Sequence, residues 1–360
     1  MSTSTDLGRA ATPSSTKRPG RQSKLRSIPL IYLALVIVIL IGALLLATQG
    51  KSLFSAGSII DILTRSSLLG FIAIGQTFVI LCRSLDLSVG YVAALASLVA
   101  ANVMDGQESR LLLGIGAALA VSALVGFFNG AVSTKFGVHA FITTLGAGLI
   151  IKGILDTRYP GPSGSVAPSF QSFGYTRLGV LPVSAVIMLL IALAAIVLMH
   201  RTRVGHSMFA VGGNIEVARL SGIRTHRVLI LAHVLCSLMA GLAGLLLASR
   251  FSTGVGAQIY GAGYDLDSIA AVVLGGTLLL GGRGGVGGTI AAVLILGVLD
   301  SVFNELQIDP FAREVLRGVI IIAAVALYAR RQIDPTKARA RFRELTGTRS
   351  PATATQGGRS

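Results

Sequence analysis

The chain has 360 residues, 52% of them hydrophobic and 13% charged, with a formal net charge of +16. A soluble domain carries about a quarter charged residues, so this composition argues against a soluble enzyme or binding module and points to a polytopic α-helical membrane protein. The positive charge is concentrated in two tails and one internal loop, the distribution that positive-inside topology produces, and no nucleic-acid partner is expected.

The first tail, residues 1–27, carries Arg9, Lys17, Arg18, Arg21, Lys24 and Arg26 and is expected to be cytoplasmic and disordered. Apolar runs follow at 28–47, 60–81, 88–103, 111–134, 138–155, 179–199, 228–248, 266–280, 285–303 and 314–329. They amount to about ten spans, since crossing the hydrocarbon core takes about 20 residues. Together they define a transmembrane domain over 28–330, and 331–360 form a second basic tail, also expected to be cytoplasmic and disordered. The first run has a basic flank like that of a signal peptide. No A-x-A-like site follows it, so it reads as a retained span.

Charge supports this arrangement. With the first tail inside, about six spans bring Arg201, Arg203, Arg219, Arg224 and Arg227 to the inside face, and about four more return Arg330, Arg331, Lys337, Arg339, Arg341 and Arg343 there. Both termini are therefore expected in the cytoplasm. Lys135 and Arg283 fall in inside turns, and the Pro/Gly/Ser-rich stretch 158–169 is an outside loop. The 44 glycines are scattered through the apolar runs, where small residues let helices approach closely.

Several spans are interrupted. "SLDLSVG" places Asp86 at the inner end of a helix hairpin, with Ser88 available to cap the next helix. Asp86 is expected to accept backbone N–H groups at that helix start. "GGTLLLGGRGGVGG", 275–288, breaks a second pair of spans. Irregular backbone at membrane depth is tolerated only when buried in protein or lining a wet cavity. The segments 73–81 and 273–281 resemble one another faintly, as in transporters built from repeats.

Signatures of chemistry are weak. Gly282, Gly284 and Gly287 spell G-x-G-x-x-G, but in a turn between two spans rather than after a strand, so tight packing explains them better than a dinucleotide. No Walker A sequence is present. No H-E-x-x-H motif, carboxylate pair or Ser/His/Asp spacing stands out, and no enzymatic activity, cofactor or metal is expected of this chain. Cys82 and Cys236 suit neither a metal site nor a disulfide framework. His139 and His233 read as hydrogen-bonded packing residues, Lys152 as snorkelling to the interface, and Asp61 as pairing with Arg65 one turn on. The absence of a buried acidic chain weighs against an ion-driven carrier.

The stretch "AVGGNIEVARLSGI", 210–223, is different. Asn214 can cap a short helix and Gly222 can stop it, with Glu216 and Arg219 facing outward. Such a helix is too short to be stable alone in water. It needs a partner surface, which fits a contact with a soluble motor as well as an ordinary inter-helix loop.

Four stretches together carry a resemblance: "GQTFVILCRSLDLSVGYVAALASLVAA", "FITTLGAGLIIKG", "GHSMFAVGGNIEVARLSGI" and "GAGYDLDSIAAVVLGGTLLLGGRGGVGGT". In sequence, order and spacing the chain resembles the permease subunits of ribose-type (simple-sugar) ATP-binding-cassette importers from about residue 63 to 328. The resemblance implies a coupling helix over 214–222, with Gly213, Asn214, Glu216, Ala218, Arg219 and Gly222 contacting a separate ATPase subunit that holds ATP and Mg. It also implies an extracytoplasmic sugar-binding protein, a second permease chain of the same or related sequence, and a place among membrane lipid in the bacterial cytoplasmic membrane. Cys82, Arg83 and Ser84 stand where the family commonly has Thr-Gly-Gly, and His139 and Ala140 where it has prolines.

The translocation path is expected to be wide and uncharged. Asn129, Phe141, Thr143 and Thr144, polar or aromatic residues on apolar helices, are its expected lining, with Asp86, Ser88, Gly275, Gly276 and Thr277 at the path or its gate. The alternatives are a branched-chain amino-acid-type permease of the same transporter class and an ion-coupled secondary transporter.

Overall fold

The computed structural model describes residues 28–309, with 311–316, 318, 319 and 322 beyond them. Both basic tails lie outside the described residues. Besides a short 3-10 helix (Glu108–Arg110), thirteen α-helices and one short hairpin are formed among the residues described up to 309. They are α1 (Ile28–Ala47), α2 (Ala56–Leu81), α3 (Val89–Met104), α4 (Leu111–Lys135), α5 (Ala140–Arg158), α6 (Pro168–Tyr175), the hairpin β1 (Arg177–Leu178) and β2 (Leu181–Pro182), α7 (Val183–Arg201), α8 (Arg203–Gly213), α9 (Ile215–Leu220), α10 (Thr225–Phe251), α11 (Ala257–Tyr260), α12 (Tyr264–Leu274) and α13 (Val286–Glu305).

Seven helices among the described residues are long and apolar enough to cross a bilayer: α1, α2, α4, α5, α7, α10 and α13. The expected set of about ten differs from this in three places. The run at 88–103 is α3, apolar but 16 residues long. The run at 266–280 is not one helix, because α12 stops at Leu274 and a glycine-rich loop follows. The run at 314–329 lies mostly outside the described residues, although 311–316 are helical. The run at 179–199 loses its first residues to the hairpin, where Gly179 turns with a positive φ of 66°.

The bundle is built around α10, which packs on α2, α3 and α4. Glycines make the closest approaches. A Cβ at Gly126 of α4 would lie 2.5 Å from the His233 carbonyl oxygen of α10, and one at Gly130 would lie 2.6 Å from Ile230 Cα. In lipid, burying apolar area does not by itself drive helices together, so close backbone packing carries much of the association. Polarity is turned inward. Gln76, Thr77, Asp86, Ser88, Asn129, Thr144 and His233 are buried, while Leu40, Leu44, Leu112 and Leu190 are more than 60% exposed. A helix whose apolar stripe faces out and whose polar residues face in is ordered for a lipid solvent.

Candidate functional site: an elbow helix and two helix breaks

The elbow begins where α7 ends. Thr202 takes an extended conformation and its hydroxyl accepts the Gly205 N–H at 3.2 Å, which starts α8. Asn214 is extended in turn, and its Oδ1 accepts the N–H groups of Glu216 at 3.0 Å and Val217 at 3.1 Å, the cap its side chain suits. The capped helix α9 spans six residues and is shorter than 214–222. Gly222, at φ 82°, ends it, and Ile223 N–H closes back on the Ala218 carbonyl at 3.1 Å. Ala218 is buried, while Glu216 and Arg219 form an exposed pair at 2.7 Å. Leu220 is 84% exposed and Val217 58%. An exposed pair stabilises little, and bare apolar side chains on so short a helix leave a face that nothing among the described residues covers.

Gly213, at the same corner, has no neighbour within 4 Å of where a Cβ would stand. Its neighbour Gly212 is the reverse: a Cβ there would run into the Leu81 carbonyl oxygen at the end of α2. The Gly282 N–H donates to that same oxygen at 2.9 Å. The elbow, the end of α2 and the glycine loop therefore meet backbone to backbone. Gly212 was not singled out from sequence. The Gly-Gly doublet was its only signal.

The glycine loop is one of two helix breaks. Gly275 ends α12 against α13, where a Cβ would lie 2.5 Å from Gly288 C and Thr289 N. Gly276 has φ 92°, and buried Thr277 accepts the Gly285 N–H at 3.2 Å. Helix α12 precedes this loop where a dinucleotide site would have a strand. Thr77 of α2 and Thr289 of α13 share a hydrogen bond at 3.0 Å, which joins this break to the helix leading into the other.

That other break lies between α2 and α3. Buried Asp86 accepts the Ser88 N–H at 2.9 Å and the Ser88 hydroxyl at 2.5 Å through Oδ1, while Oδ2 faces His233 Nδ1 at 3.2 Å. His233 Nε2 is 3.0 Å from the Ser84 hydroxyl. Asn129 donates Nδ2–H to Ser88 Oγ at 2.9 Å, and Thr144 Oγ1 accepts the Leu87 N–H at 3.0 Å. Asp86, Ser88, Asn129 and Thr144 thus come together from the break, α4 and α5. Ser88 does not cap α3 with its side chain, because Asp86 and Asn129 engage its hydroxyl. Phe141 and Thr143 are not in this cluster: Phe141 is 42% exposed, and the Thr143 hydroxyl turns back to the His139 carbonyl at 3.5 Å. Gly275, Gly276 and Thr277 belong to the other break.

His233 and Ser84 are the members that sequence reasoning missed as partners of Asp86. Their order, Ser84, His233, Asp86, is that of a serine-nucleophile triad. The Arg83 and Ser84 N–H groups are already bonded to the Ile80 and Val79 carbonyls, so neither can stabilise an oxyanion. The three residues act as a hydrogen-bonded link from the break to α10. His233 lies eight residues into α10, about 12 Å from its start at 1.5 Å per residue.

These features define a multi-pass helical membrane protein with two internal helix breaks joined to a capped, outward-facing elbow. Residues 58–325 match the family described as branched-chain amino acid transport system / permease component, and the chain belongs to that family. It is 37% identical over 303 residues to the ribose import permease protein RbsC of Escherichia coli strain K12, covering 82% of this chain and 93% of that protein. It is 38% identical over 262 residues to the L-arabinose transport system permease protein AraH of the same strain, covering 72% and 78%. The galactose/methyl galactoside import permease protein MglC of that strain is 32% identical over 319 residues, covering 82% and 94%. No solved structure matches the chain. The chain is a membrane permease, and its relatives are named for transport rather than catalysis.

Proposed function

We propose that this chain is the membrane permease subunit of an ATP-binding-cassette importer that carries a simple sugar across the bacterial cytoplasmic membrane, with both termini in the cytoplasm. The observation that carries the cargo class is the set of relatives named for ribose, L-arabinose and galactose, each matched over 72% of this chain or more. The family description names branched-chain amino acids, yet these individual relatives are sugar permeases.

In this reading a separate ATPase subunit holds ATP and Mg, a solute-binding protein delivers the sugar outside, and a second permease chain completes the path. Helix α9 is the coupling helix. Its uncovered apolar side chains and the Glu216–Arg219 pair supply a surface for the ATPase. Force on α9 reaches one break through the junction of Gly212, Leu81 and Gly282, and the other through α10 and the bond from His233 to Asp86. The breaks then reorient the spans between inward-open and outward-open states.

The test is reconstitution in liposomes. With the ATPase subunit and the binding protein, uptake of D-ribose, L-arabinose or D-galactose is expected to require ATP. Uptake by the permease alone under a sodium or proton gradient would overturn this reading in favour of an ion-coupled carrier.

A further inference from the structure

Another polar cluster lies beside the break between α2 and α3, among α3, α5 and α11. Tyr91, near the start of α3, stacks on Tyr260 of α11 with ring centres 5.6 Å apart and 23° between planes. Lys152 of α5 places its Nζ 5.4 Å from the centre of the Tyr260 ring and pairs with Asp156 one turn on. The Tyr260 hydroxyl also donates to Asp156. Gly148, one turn before Lys152, leaves the space the Tyr91 ring occupies, since a Cβ there would lie 2.6 Å from Tyr91 Cδ2.

The cluster is partly open, with the Lys152 and Asp156 side chains 42% and 43% exposed. Lipid tails are a poor neighbour for an ion pair and two phenols, and intramembrane charges ordinarily face the bundle interior or water. Lys152 lies over a ring held by another element. This face therefore borders water rather than lipid, as the wall of a path between two permease chains would.

We propose that Tyr91, Lys152, Asp156 and Tyr260 form a subsite for one monosaccharide in that path. The proposal rests on the reading of the chain as a sugar permease. A sugar ring offers an apolar C–H face to an aromatic ring and hydroxyls that both donate and accept. The tyrosine faces supply the first match, and the remaining Lys152 donors and Asp156 lone pairs the second. A free amino acid is a poorer match, because Lys152 and Asp156 already neutralise each other and the stacked rings give a flat wall.

The experiment uses the complete transporter in liposomes with D-ribose, L-arabinose, D-galactose and L-leucine as cargo, and compares Tyr91→Leu, Lys152→Gln and Tyr260→Phe with wild type. The binding protein is unchanged throughout, so a subsite that touches sugar alters the ratio of uptake between sugars, by about threefold to tenfold for loss of one hydrogen bond or ring contact. Where one sugar alone is carried, its 2-deoxy analogue supplies the comparison. ATP hydrolysis is expected to continue in each variant, with fewer sugars moved per ATP. Tyr260→Phe keeps the ring and serves as the variant that folds. Equal losses for all sugars, or no change in any ratio, overturn the subsite and leave the cargo reading standing. Uptake of L-leucine and of no sugar by the wild type overturns both.

Discussion

Gly212 at the elbow and Leu81 at the end of α2 are in backbone contact: no Cβ fits on Gly212 beside the Leu81 carbonyl, and Gly282 hydrogen-bonds that same oxygen at 2.9 Å. Three segments far apart in sequence thereby share one point. On Gly213, next along the chain, a Cβ would point into open space. This asymmetry yields the sharpest test of how the elbow is wired to the breaks.

Gly212→Ala should force the elbow off α2 and the glycine loop, at a cost of about 1–3 kcal/mol of the kind that overpacking brings. Sugar uptake should fall by about tenfold or more, the factor that about 1.4 kcal/mol represents, while ATP hydrolysis by the assembled transporter persists. Gly213→Ala should leave the junction and the fold intact, so that any loss it brings appears in affinity for the ATPase subunit and is smaller than that of Gly212→Ala. Equal uptake by the two variants, measured at matched membrane levels, would remove the junction from the mechanism.

Removing His233 leaves the Asp86 carboxylate buried without its ring partner. His233→Ala is expected to lower stability in detergent by about 1–3 kcal/mol, the cost of taking one hydrogen-bond partner from a buried acceptor. Asp86→Asn in the same background should recover part of that loss. A double-mutant cycle by thermal unfolding should return a coupling of about 1 kcal/mol or more for residues in direct contact. A coupling near zero would mean that the bond at 3.2 Å contributes nothing to holding the break on α10.

Asn214→Ala removes the acceptor for two N–H groups at the start of α9 and should cost about 1 kcal/mol locally. Asn214→Asp and Asn214→Ser retain an acceptor and should keep uptake near wild type. The readout is the affinity of the ATPase subunit for the permease, which should weaken only in the alanine variant.

Glu216→Lys reverses one half of the exposed pair on α9. It should block uptake with membrane insertion intact, because its side chain is solvent-exposed and supports no core packing. Normal uptake by this variant would argue against α9 as the contact with the ATPase.

Much of this architecture was legible in the sequence. The bounds of α1 match the expected 28–47, because twenty consecutive apolar residues leave little choice of conformation in lipid. Asn214 and Gly222 were legible too, since an Asn acceptor and a left-handed glycine act within one turn of their own backbone. The end of α12 at Leu274 was not. Apolar Leu278, Leu279 and Leu280 extended the hydropathy signal across glycines whose backbone had already left the helix. His233 and Ser84 were hidden for another reason: their bonds to each other and to Asp86 join positions up to 149 apart in the chain, which no local pattern encodes. The ring beside Lys152 was not legible, because a sequence shows a lysine's own helix and not what another element lays against it.

The glycine seam between α4 and α10 has a mechanical corollary. With Gly126 and Gly130 bringing two backbones into contact, the pair has little room to shear and is expected to move as one body. A stroke delivered to α10 should then displace α4 with it. Spin labels on these two helices should keep one separation in every nucleotide state, and whatever flexes to admit cargo must do so along their borders.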